Sequence, residues 1–558
     1  MGQAPYSVSG QILDEQGHGL PGATIFMPEL ETGAISDTNG HFTIPGLPEG
    51  RFVINISYMG YETDIRTVYI AGHSQSFTVK MIPAQITGKE IVISGGRHSS
   101  QHKNAVKIEL LKVAEINRAG HAHLVEDLTV IPGVDMIGNG GGVVTPVIRG
   151  LSTSNILMLN NGFRMENYQF SQDHPYLVDE SGLDQVEIIK GPASLLYGSD
   201  AIGGVINLVQ DHSAEPNTIS GEANLKYFSN TRGYSGNIGI HGNQDKISWS
   251  LHGGMKSFKD YTDGQDVKVP NSRTGSGTLK SFIGLRLNQS LHRLRYEYQK
   301  LIPGMVNEES AGMVDIDNRL STYWYQDLDN HLLTFTNSWF LSPFKIQFNT
   351  SFQKSLRKLF TSETDHAAVD MDLTSISYEL RGNLVTSDVS EFTMAIQGMN
   401  QNNRNRDGEL RVLPDYAFND LALFGLVQHD FTNHVHLQVG LRFDNRFLKV
   451  PTQEKASHSH EEPLPGEAPE ILEGFYRYYG NISGSLGATF ELGDGILLRG
   501  NLASAFRAPS MAELTQDGEH GIRYEIGNLN LKSQRNYEID FSFHYHKDFI
   551  LIDLAIIW

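Results

Sequence analysis

Side chains that can ligate a metal ion gather in four stretches of this sequence. One stretch is the adjacent pair Asp173 and His174. The other three each bring imidazole and carboxylate groups together within a short span: His458, His460, Glu461 and Glu462; Glu363, Asp365 and His366, with Asp370 and Asp372 close behind; and His520, with Asp517 and Glu519 just before it. Imidazole nitrogen and carboxylate oxygen suit zinc and its borderline neighbours. Because two ligands do not make a site, each stretch taken alone is equally explained as a solvated loop.

The same inventory of side chains argues against other kinds of chemistry. The chain has no cysteine, which excludes disulfides, thiolate metal sites and a cysteine nucleophile. Neither a Ser-His-Asp spacing nor a helical His-Glu-x-x-His motif is present, and we predict that the protein is not an enzyme. Acidic residues outnumber basic ones by 64 to 44, which gives a net charge of -20. Phosphate binding needs a basic surface, so we expect no nucleic-acid partner.

The length and hydropathy of the chain set further limits. Its 558 residues are too many for one ordinary domain. No apolar run is long enough for a transmembrane helix, although a membrane-spanning β-barrel remains compatible, since its alternating strands have a soluble-looking average hydropathy. Residues 1–5 lack the basic start and apolar core of a signal peptide. We therefore expect the chain to begin near a mature N-terminus, with a truncated or re-cloned start as the alternative.

The first eighty residues alternate short strand-forming runs with turns. Runs at 23–26, 41–44 and 52–58 are rich in β-branched and aromatic residues, and turn signals recur about every ten residues. Strands of this length and spacing predict a small β-sandwich. Nothing in this region suggests a site.

Residues 150–209 predict a compact α+β unit. Strand-forming runs at 155–159, 185–189 and 205–209 surround a segment of small residues that permits close backbone approach. The unit is therefore expected to pack against a neighbour that demands tight backbone contact.

The region ahead of this unit predicts helices and a loop. Apolar periodicity between Ala105 and Leu128 indicates two short amphipathic helices. The glycine run 138–142 leads into a strand-forming stretch, whereas a phosphate-binding loop leads from a strand into a helix. A flexible loop is therefore favoured over a nucleotide site.

From about Ser220 onward, apolar and polar residues alternate with period two. Leu437, Val439, Leu441 and Phe443, for example, are separated by polar residues or glycine. This pattern fits an outer-membrane barrel with apolar residues facing lipid and polar residues facing the lumen. Connections alternate between tight turns, such as the Asp-Gly turn at 494–495, and long polar stretches near 259–277, 302–318, 361–373, 402–415 and 451–474. Short turns at one rim and long loops at the other predict periplasmic and extracellular ends.

Four ordered blocks fall within about sixty residues: 147–150 (VIRG), 159–162 (LNNG), 184–198 (DQVEIIKGPASLLYG) and 201–207 (AIGGVIN). In content and order they resemble the plug domain of TonB-dependent outer-membrane receptors. Residues 6–82 are similar to the carboxypeptidase-regulatory-like domain often placed ahead of such receptors. The resemblance implies a mainly β protein of the bacterial outer membrane, in contact with outer-membrane lipid. Its expected parts are a β-sandwich at 1–83, a linker at 84–97, an α+β plug at 98–212 and an antiparallel transmembrane β-barrel at 213–558.

Strand number is the point at which the chain departs from the family. Barrels that enclose a plug have about 22 strands, whereas residues 213–558 suffice for about 14–16 strands. The chain also stops inside an alternating run. We therefore expect a fragment without its C-terminal strands, whose open edge leaves backbone groups unsatisfied in lipid at several kcal/mol each.

A short strand-forming segment precedes the plug and is flanked by glycines. It consists of Glu90, Ile91, Val92, Ile93 and Ser94. Such a segment can add as a strand to the edge of another sheet. Its position matches the TonB box of the family, on which the TonB–ExbB–ExbD complex pulls; an ordinary linker strand is the alternative.

The stretch 506–528 is similar to the zinc- and haem-uptake branch of these receptors. In that branch a histidine just before the Tyr-Glu-Ile-Gly-Asn word joins a plug Asp-His pair around zinc. The correspondence implies Asp173, His174 and His520 as ligands, with a fourth, acidic ligand unplaced. The long histidine tracts frequent in the branch are missing here. The stretches 458–462 and 363–366 are expected to be capture loops.

The function implied is TonB-dependent uptake of a scarce ligand, either a metal such as zinc or a metal complex such as haem. Zinc or haem would be the transported ligand, and no resident cofactor is required. A ferric-siderophore receptor and a non-transporting envelope protein for binding or signalling are the alternatives. The N-terminal sandwich does not resemble the signalling domain of transcription-linked receptors, which favours transport.

Overall fold

The computed structural model arranges the chain as an N-terminal β domain, a plug and one large antiparallel sheet. The residues it describes are 6–83, 91–92, 99–100, 104–210, 217–244, 246–312, 318–362, 366–387, 389–432, 434–455, 470–493, 495–520, 523–547 and 550–558.

Seven short strands build the N-terminal domain: β1 (Tyr6–Leu13), β2 (Thr24–Met27), β3 (Thr32–Ile35), β4 (His41–Leu47), β5 (Gly50–Ser57), β6 (Asp64–Ile70) and β7 (Gln75–Lys80). They form two sheets, with the strand orders β4-β1-β7 and β3-β2-β5-β6. Alternation decides which side chains enter the core, since Phe42 and Ile44 of β4 are buried while His41 and Thr43 are exposed. The predicted N-terminal β domain is confirmed.

The plug follows the short paired strands β8 (Ile91–Val92) and β9 (Ser99–Ser100). Its elements are β10 (Ile108–Lys112), α1 (Val113–Ala119), α2 (Leu124–Leu128), β11 (Val134–Asn139), β12 (Val143–Ile148), β13 (Leu151–Ser152), a 3-10 helix (Thr153–Asn155), β14 (Ile156–Asn160), β15 (Phe163–Arg164), β16 (Leu183–Lys190), α3 (Ser194–Tyr197) and β17 (Gly204–Gln210). The main sheet has the order β10-β16-β17-β14-β15. Every residue of β17 is buried, as expected for a central strand covered on both faces.

The prediction of two helices between Ala105 and Leu128 is partly wrong. Helices α1 and α2 form, but Leu110 and Leu111 belong to strand β10, which pairs antiparallel with β16. The edge of the plug sheet offers backbone partners to this run, and tertiary pairing overrides its local periodicity. The predicted loop at 138–142 does form, as the turn between β11 and β12.

The remaining strands and helices, in chain order, are β18 (Thr218–Phe228), β19 (Gly233–Gln244), β20 (Ile247–Phe258), β21 (Thr274–Leu287), β22 (Ser290–Pro303), α4 (Glu308–Ala311), β23 (Tyr325–Leu341), β24 (Phe344–Phe360), β25 (Val369–Val385), β26 (Ser390–Asn405), β27 (Tyr416–Thr432), β28 (Val435–Val450), β29 (Gln453–Glu454), β30 (Ile471–Leu472), β31 (Phe475–Gly493), β32 (Ile496–Arg507), α5 (Met511–Thr515), β33 (Asp517–His520), β34 (Arg523–Ile526), β35 (Gln534–Lys547) and β36 (Ile550–Ile557). Two pairs, β29 with β30 and β33 with β34, lie within connections. The other strands form one sheet of fifteen, in chain order from β18 to β36.

Side chains of the large sheet divide between its two faces as the alternation predicts. In β28 the apolar Val439, Leu441 and Phe443 are exposed, whereas Arg442 and Asp444 between them are buried against the interior. None of the helices in the described part of the chain has the length and apolarity needed to cross a membrane.

Connections between the fifteen strands differ at the two ends of the sheet. At one end they have two to four residues, as at 288–289, 342–343 and 386–389. At the other end most are long, reaching 26 residues at 508–533 between β32 and β35. We call these ends the short-turn rim and the long-loop rim.

Candidate ligand-binding site

The plug lies inside the large sheet, and its segment 165–182, the plug apex, lies near the long-loop rim. The Tyr168 hydroxyl of the apex is buried and donates a hydrogen bond to Asn403 of β26 at 2.7 Å. Gln326 of β23 donates to the backbone carbonyl of Asp173 at 3.0 Å. Burial raises the pKa of Tyr168 well above its usual value. The apex is therefore held by side chains that project from the sheet.

A pocket of about 130 Å³ lies beside the plug apex, and we call it the apical pocket. Its lining combines the plug apex with residues near the long-loop ends of strands and with helix α5, including Tyr168, Phe170, Leu413, Tyr416, Phe418, Leu448 and Met511. Most of these side chains belong to one apolar cluster. The Tyr416 and Phe418 rings are stacked with centroids 6.4 Å apart. The lining therefore has an apolar and aromatic part, beside a charged part formed by Arg164, Glu166, Asp200, Arg446 and Arg507.

Buried charges border the apical pocket. Arg164 of the plug donates to Asp200 at 2.7 Å, and Arg446 of β28 pairs with Asp420 at 2.7 Å while lying 3.9 Å from Asp200. The Arg446 guanidinium also lies over the Phe418 ring, 4.3 Å from its centroid. Burial acts to raise the pKa of Asp200, but the two guanidinium groups outweigh it and the pKa lies below its usual value. These charges are neutralised by one another and join the plug to the sheet.

Two of the three predicted zinc ligands lie on the plug apex. The Asp173 carboxylate accepts a hydrogen bond from the Asn139 amide. His174 is buried, its Nδ1 lies 2.5 Å from the Tyr168 carbonyl oxygen, and its ring packs edge-on against Phe170. The backbone of His520 ends strand β33 and pairs with Arg523, while its side chain lies outside the description. Convergence of the three residues thus stays a prediction.

The other predicted metal-binding residues are for the most part not described. His458, His460, Glu461, Glu462, Glu363 and Asp365 lie outside the described residues, and His366 is exposed. In the part of the chain that the structure does describe, no group of three or more His, Cys, Asp or Glu side chains is placed to hold a metal ion.

The assignment of Asp370 and Asp372 to a long loop was wrong. Both residues lie in strand β25. Asp372 pairs with Arg406 at 2.5 Å and with Lys354 at 3.2 Å, and Asp370 lies 3.7 Å from Lys358. Strand β25 begins at Val369, inside the polar stretch that was expected to be a loop. The two carboxylates therefore form ion pairs with neighbouring basic side chains.

The predicted TonB box is described only in part. Ile91 and Val92 form strand β8, whose backbone pairs antiparallel with Ser100 and Ser99. Glu90, Ile93 and Ser94 lie outside the described residues. The strand character predicted for the central residues is present, and their role in coupling remains a prediction.

The sequence interpretation missed the apical pocket because its residues are far apart in the chain. Leu413, Phe418 and Met511 come from two connections and a strand, and only the packing of the strands around the plug brings them together. One signal was available. Apolar residues such as Leu413 within a long polar connection have no reason to be there unless they pack on something.

Three known families match successive parts of the chain. Residues 8–93 match the CarboxypepD_reg-like domain, residues 100–205 the TonB-dependent receptor plug domain, and residues 203–557 the TonB dependent receptor-like β-barrel. A plug held inside a strand wall, with a pocket at one rim, defines a receptor of the outer membrane. The barrel match covers more than half of the chain, and the protein belongs to the TonB-dependent receptors. Membership confirms the outer-membrane location and the prediction that the protein is not an enzyme.

Individual proteins of known name are more distant. Vitamin B12 transporter BtuB of Photobacterium profundum is 31% identical over 121 residues, which are 21% of this chain and 20% of that protein. The solved structure of the copper transporter OprC has a TM-score of 0.63 at 18% identity, covering 79% of this chain and 70% of that one. The hemophore receptor HasR of Serratia marcescens, solved with its hemophore HasA and heme, has a TM-score of 0.64 at 13% identity, covering 82% and 73%.

These similarities limit what is carried over from relatives. The chain spans about a fifth of the length of the curated relatives it matches. Structural likeness at such low identities shows the fold alone. The names of the similar proteins refer to vitamin B12, copper and heme, so the zinc- and haem-uptake branch is not singled out.

Proposed function

We propose that this receptor binds a scarce ligand at the long-loop rim and transports it across the outer membrane. The observation that carries the proposal is the apical pocket, whose walls come jointly from the plug apex and the sheet. A pocket shared in this way loses one wall when the plug is displaced. The TonB–ExbB–ExbD complex would supply the displacement by pulling on residues 90–94.

The proposal divides the chain into four functional regions. They are a β-sandwich at 1–83, a coupling linker at 84–97, a plug at 98–212 and a barrel at 213–558. The linker is the point at which an inward pull is applied, because it joins the plug to a domain on the inner side.

The ligand best suited to the apical pocket is an organic molecule or an organic metal complex. Burial of apolar and aromatic surface is the main source of affinity in such pockets, and Tyr416 and Phe418 supply aromatic surface to the lining. A bare zinc ion instead needs about four nitrogen or oxygen ligands at roughly 2.0–2.2 Å. The pocket therefore favours an organic molecule or chelate over free metal, and at about 130 Å³ it encloses only part of a haem-sized ligand.

Uptake by whole cells tests the proposal. Cells that express the protein are supplied separately with haem, a ferric catecholate, cyanocobalamin and a zinc salt. We expect an organic complex to accumulate in the parent. Ile91→Pro removes a backbone donor and fixes φ, so it should abolish uptake and leave surface binding intact. Ile91→Val, which keeps the donor and the branched side chain, is the matched control.

Each other outcome decides against part of the proposal. Unchanged uptake in Ile91→Pro would remove the coupling role of residues 90–94. Binding without accumulation of any probe in the parent would favour a non-transporting binding or signalling protein.

Zinc remains a second candidate because Asp173 and His174 lie together on the plug apex. The Tyr168 carbonyl accepts from Nδ1 of His174, which places the lone pair of the neutral ring on Nε2, the state in which imidazole ligates zinc. If His520 completes this set, His520→Ala should weaken zinc binding strongly, whereas His458→Ala should mainly slow uptake at low zinc.

Affinity for zinc should also fall as the pH drops through about 6.5, because only neutral imidazole binds metal. Calorimetry that gives equal zinc affinity for His520→Ala and the parent would eliminate this site.

A further inference from the structure

A second and larger cavity extends toward the short-turn rim and shares Arg164 with the apical pocket. It has a volume of about 430 Å³, and we call it the inner chamber. Its walls come from the plug at 159–164 and 196–199, from strands β22 to β28, and from the N-terminal domain at 28–31 and 49–53. The N-terminal domain thus forms one wall of a cavity inside the receptor.

The first anchor between the domain and the sheet is an ionic contact. Glu31, which is 6% exposed, accepts from Arg293 of β22 at 2.5 Å and from Ser248 of β20 at 2.8 Å. A carboxylate buried at a domain boundary is stabilised only while such partners surround it. When the domain separates, Glu31 loses Arg293 and Ser248, and water takes their place as the hydrogen-bond partners of the carboxylate.

The second anchor is apolar. Phe52 packs against Phe340 of β23, with ring centroids 5.5 Å apart. Phe340 and Leu291 of β22 belong to the same buried cluster as the core of the N-terminal domain. Both sheet residues lie next to the short turns at 288–289 and 342–343. The domain core is thus continued by the short-turn rim.

The third anchor lies further around the same rim. Arg51, adjacent to Phe52 in β5, pairs with Asp430 of β27 at 3.2 Å. Asp430 is also bonded to a ring nitrogen of His436 in β28 at 2.7 Å. Asp430 and His436 both lie beside the short connection between β27 and β28.

The three anchors are spread widely around the wall. The first reaches β20 and the third reaches β27, which are seven strand-to-strand steps apart. At about 4.8 Å per step, the anchors span roughly 34 Å of the rim. A domain held at such separated points covers the opening between them.

We propose that the N-terminal domain closes the inner end of the lumen, and that its release from the short-turn rim opens the inner chamber. Two of the three anchors are ion pairs, and of the buried cluster that forms the domain core only Leu291 and Phe340 belong to the sheet. An interface of this mixed, largely polar type separates more readily than a fully apolar core. The predicted coupling segment 90–94 follows this domain directly in the sequence. A pull on that segment acts on the domain as well as on the plug.

A chemical reporter tests the closure without any ligand. Ser377 of β25 lines the inner chamber, and Ser377→Cys places the only thiol of the chain there. The protein in outer membranes is treated with a polar maleimide supplied from the short-turn side. Met59→Cys, at a position 94% exposed on the N-terminal domain, reports the arrival of the reagent.

With all three anchors intact, we expect Ser377→Cys to react at least tenfold more slowly than Met59→Cys. Combining Glu31→Ala with Arg51→Ala removes two anchors and should accelerate the reaction of Ser377→Cys about tenfold. The matched control is Arg66→Ala, since Arg66 pairs with Asp64 within the same domain, and it should leave the rate unchanged.

The proposal would be overturned if Ser377→Cys reacted at the same rate with intact anchors and in the Glu31→Ala, Arg51→Ala double variant. If the double variant does not assemble, Asp430→Asn weakens the third anchor from the sheet side and should accelerate labelling by a smaller factor; an unchanged rate there would overturn the proposal equally. Because no ligand or energy source is added, failure of the proposed uptake leaves this test intact.

Discussion

The two cavities of the receptor differ in how their walls are held together. The apical pocket, of about 130 Å³, is enclosed by the plug and the sheet alone, through an apolar and aromatic cluster and through the Arg164, Asp200 and Arg446 charges. The inner chamber, of about 430 Å³, has a third wall, the N-terminal domain, which contacts the rim through the Glu31 and Arg51 ion pairs and the Phe52 contact. The plug and the sheet suit retention of a ligand in the apical pocket, whereas the separate N-terminal domain gives the inner chamber a wall that can be released. The contrast is what a receptor needs if it binds at one end and releases at the other.

The largest expected effect concerns which rim faces which side. We predict that the turn at 494–495 faces the periplasm and that residues 458–462 face outward. In intact cells a membrane-impermeant thiol reagent should label His458→Cys and should not label Asp494→Cys. The chain contains no other cysteine, so the signal has no background from the protein itself. Labelling of Asp494→Cys from outside would reverse the assignment of the two cavities.

The next effect tests whether the apical pocket is where the ligand binds. Phe418→Ala removes one face of the stacked pair and the surface on which Arg446 lies. Central aromatic contacts of this kind are worth about 2 kcal/mol, or roughly thirtyfold in affinity. We expect that loss for whichever organic complex the uptake experiment identifies, measured as equilibrium binding to outer membranes. Phe431→Ala, at a side chain 61% exposed near the short-turn end of the same strand, should leave affinity unchanged; equal losses in both variants would indicate a general defect.

The smallest effect concerns the charges that join the plug to the sheet beside the apical pocket. Asp200 carries a lowered pKa, so its stabilising contribution is present above the usual carboxyl pKa of about 4 and is lost as the pH falls through the lower folded value. Asp200→Asn should lower the apparent Tm by about 2–4 °C at pH 7. The difference from the parent should shrink below about pH 4. Glu15→Gln, at an exposed position, serves as the control, and a Tm difference that does not change with pH would exclude an ionic role for Asp200.

Much of the fold could be predicted because its strands follow a simple alternation. Leu441 and Arg442 illustrate it, since a period of two places one outside and the other inside wherever the strand lies in the sheet. Leu110 and Leu111 were harder to predict because a five-residue run satisfies a helix or a strand equally well. Pairing with β16 made it a strand.

The candidate site could be predicted only where its residues are neighbours in sequence. Asp173 and His174 were found as an adjacent pair, and the strand character of Ile91 and Val92 was found from their β-branched side chains between flanking glycines. The apical pocket joins Tyr168 to Phe418 and Met511. No local pattern connects residues separated by hundreds of positions.

By itself, the sequence determined the family, the order of the β domain, plug and strands, and the division of side chains between lipid and lumen. Each of these depends on short sequence motifs or on the local alternation of apolar and polar residues. The tertiary structure alone decided that Glu31 and Arg51 face the short-turn rim and that Tyr416 and Phe418 face the plug apex. Those contacts depend on how the N-terminal domain and the plug pack against the wall of strands. Packing of this kind is set by complementary surfaces far apart in the chain, which local propensities do not encode.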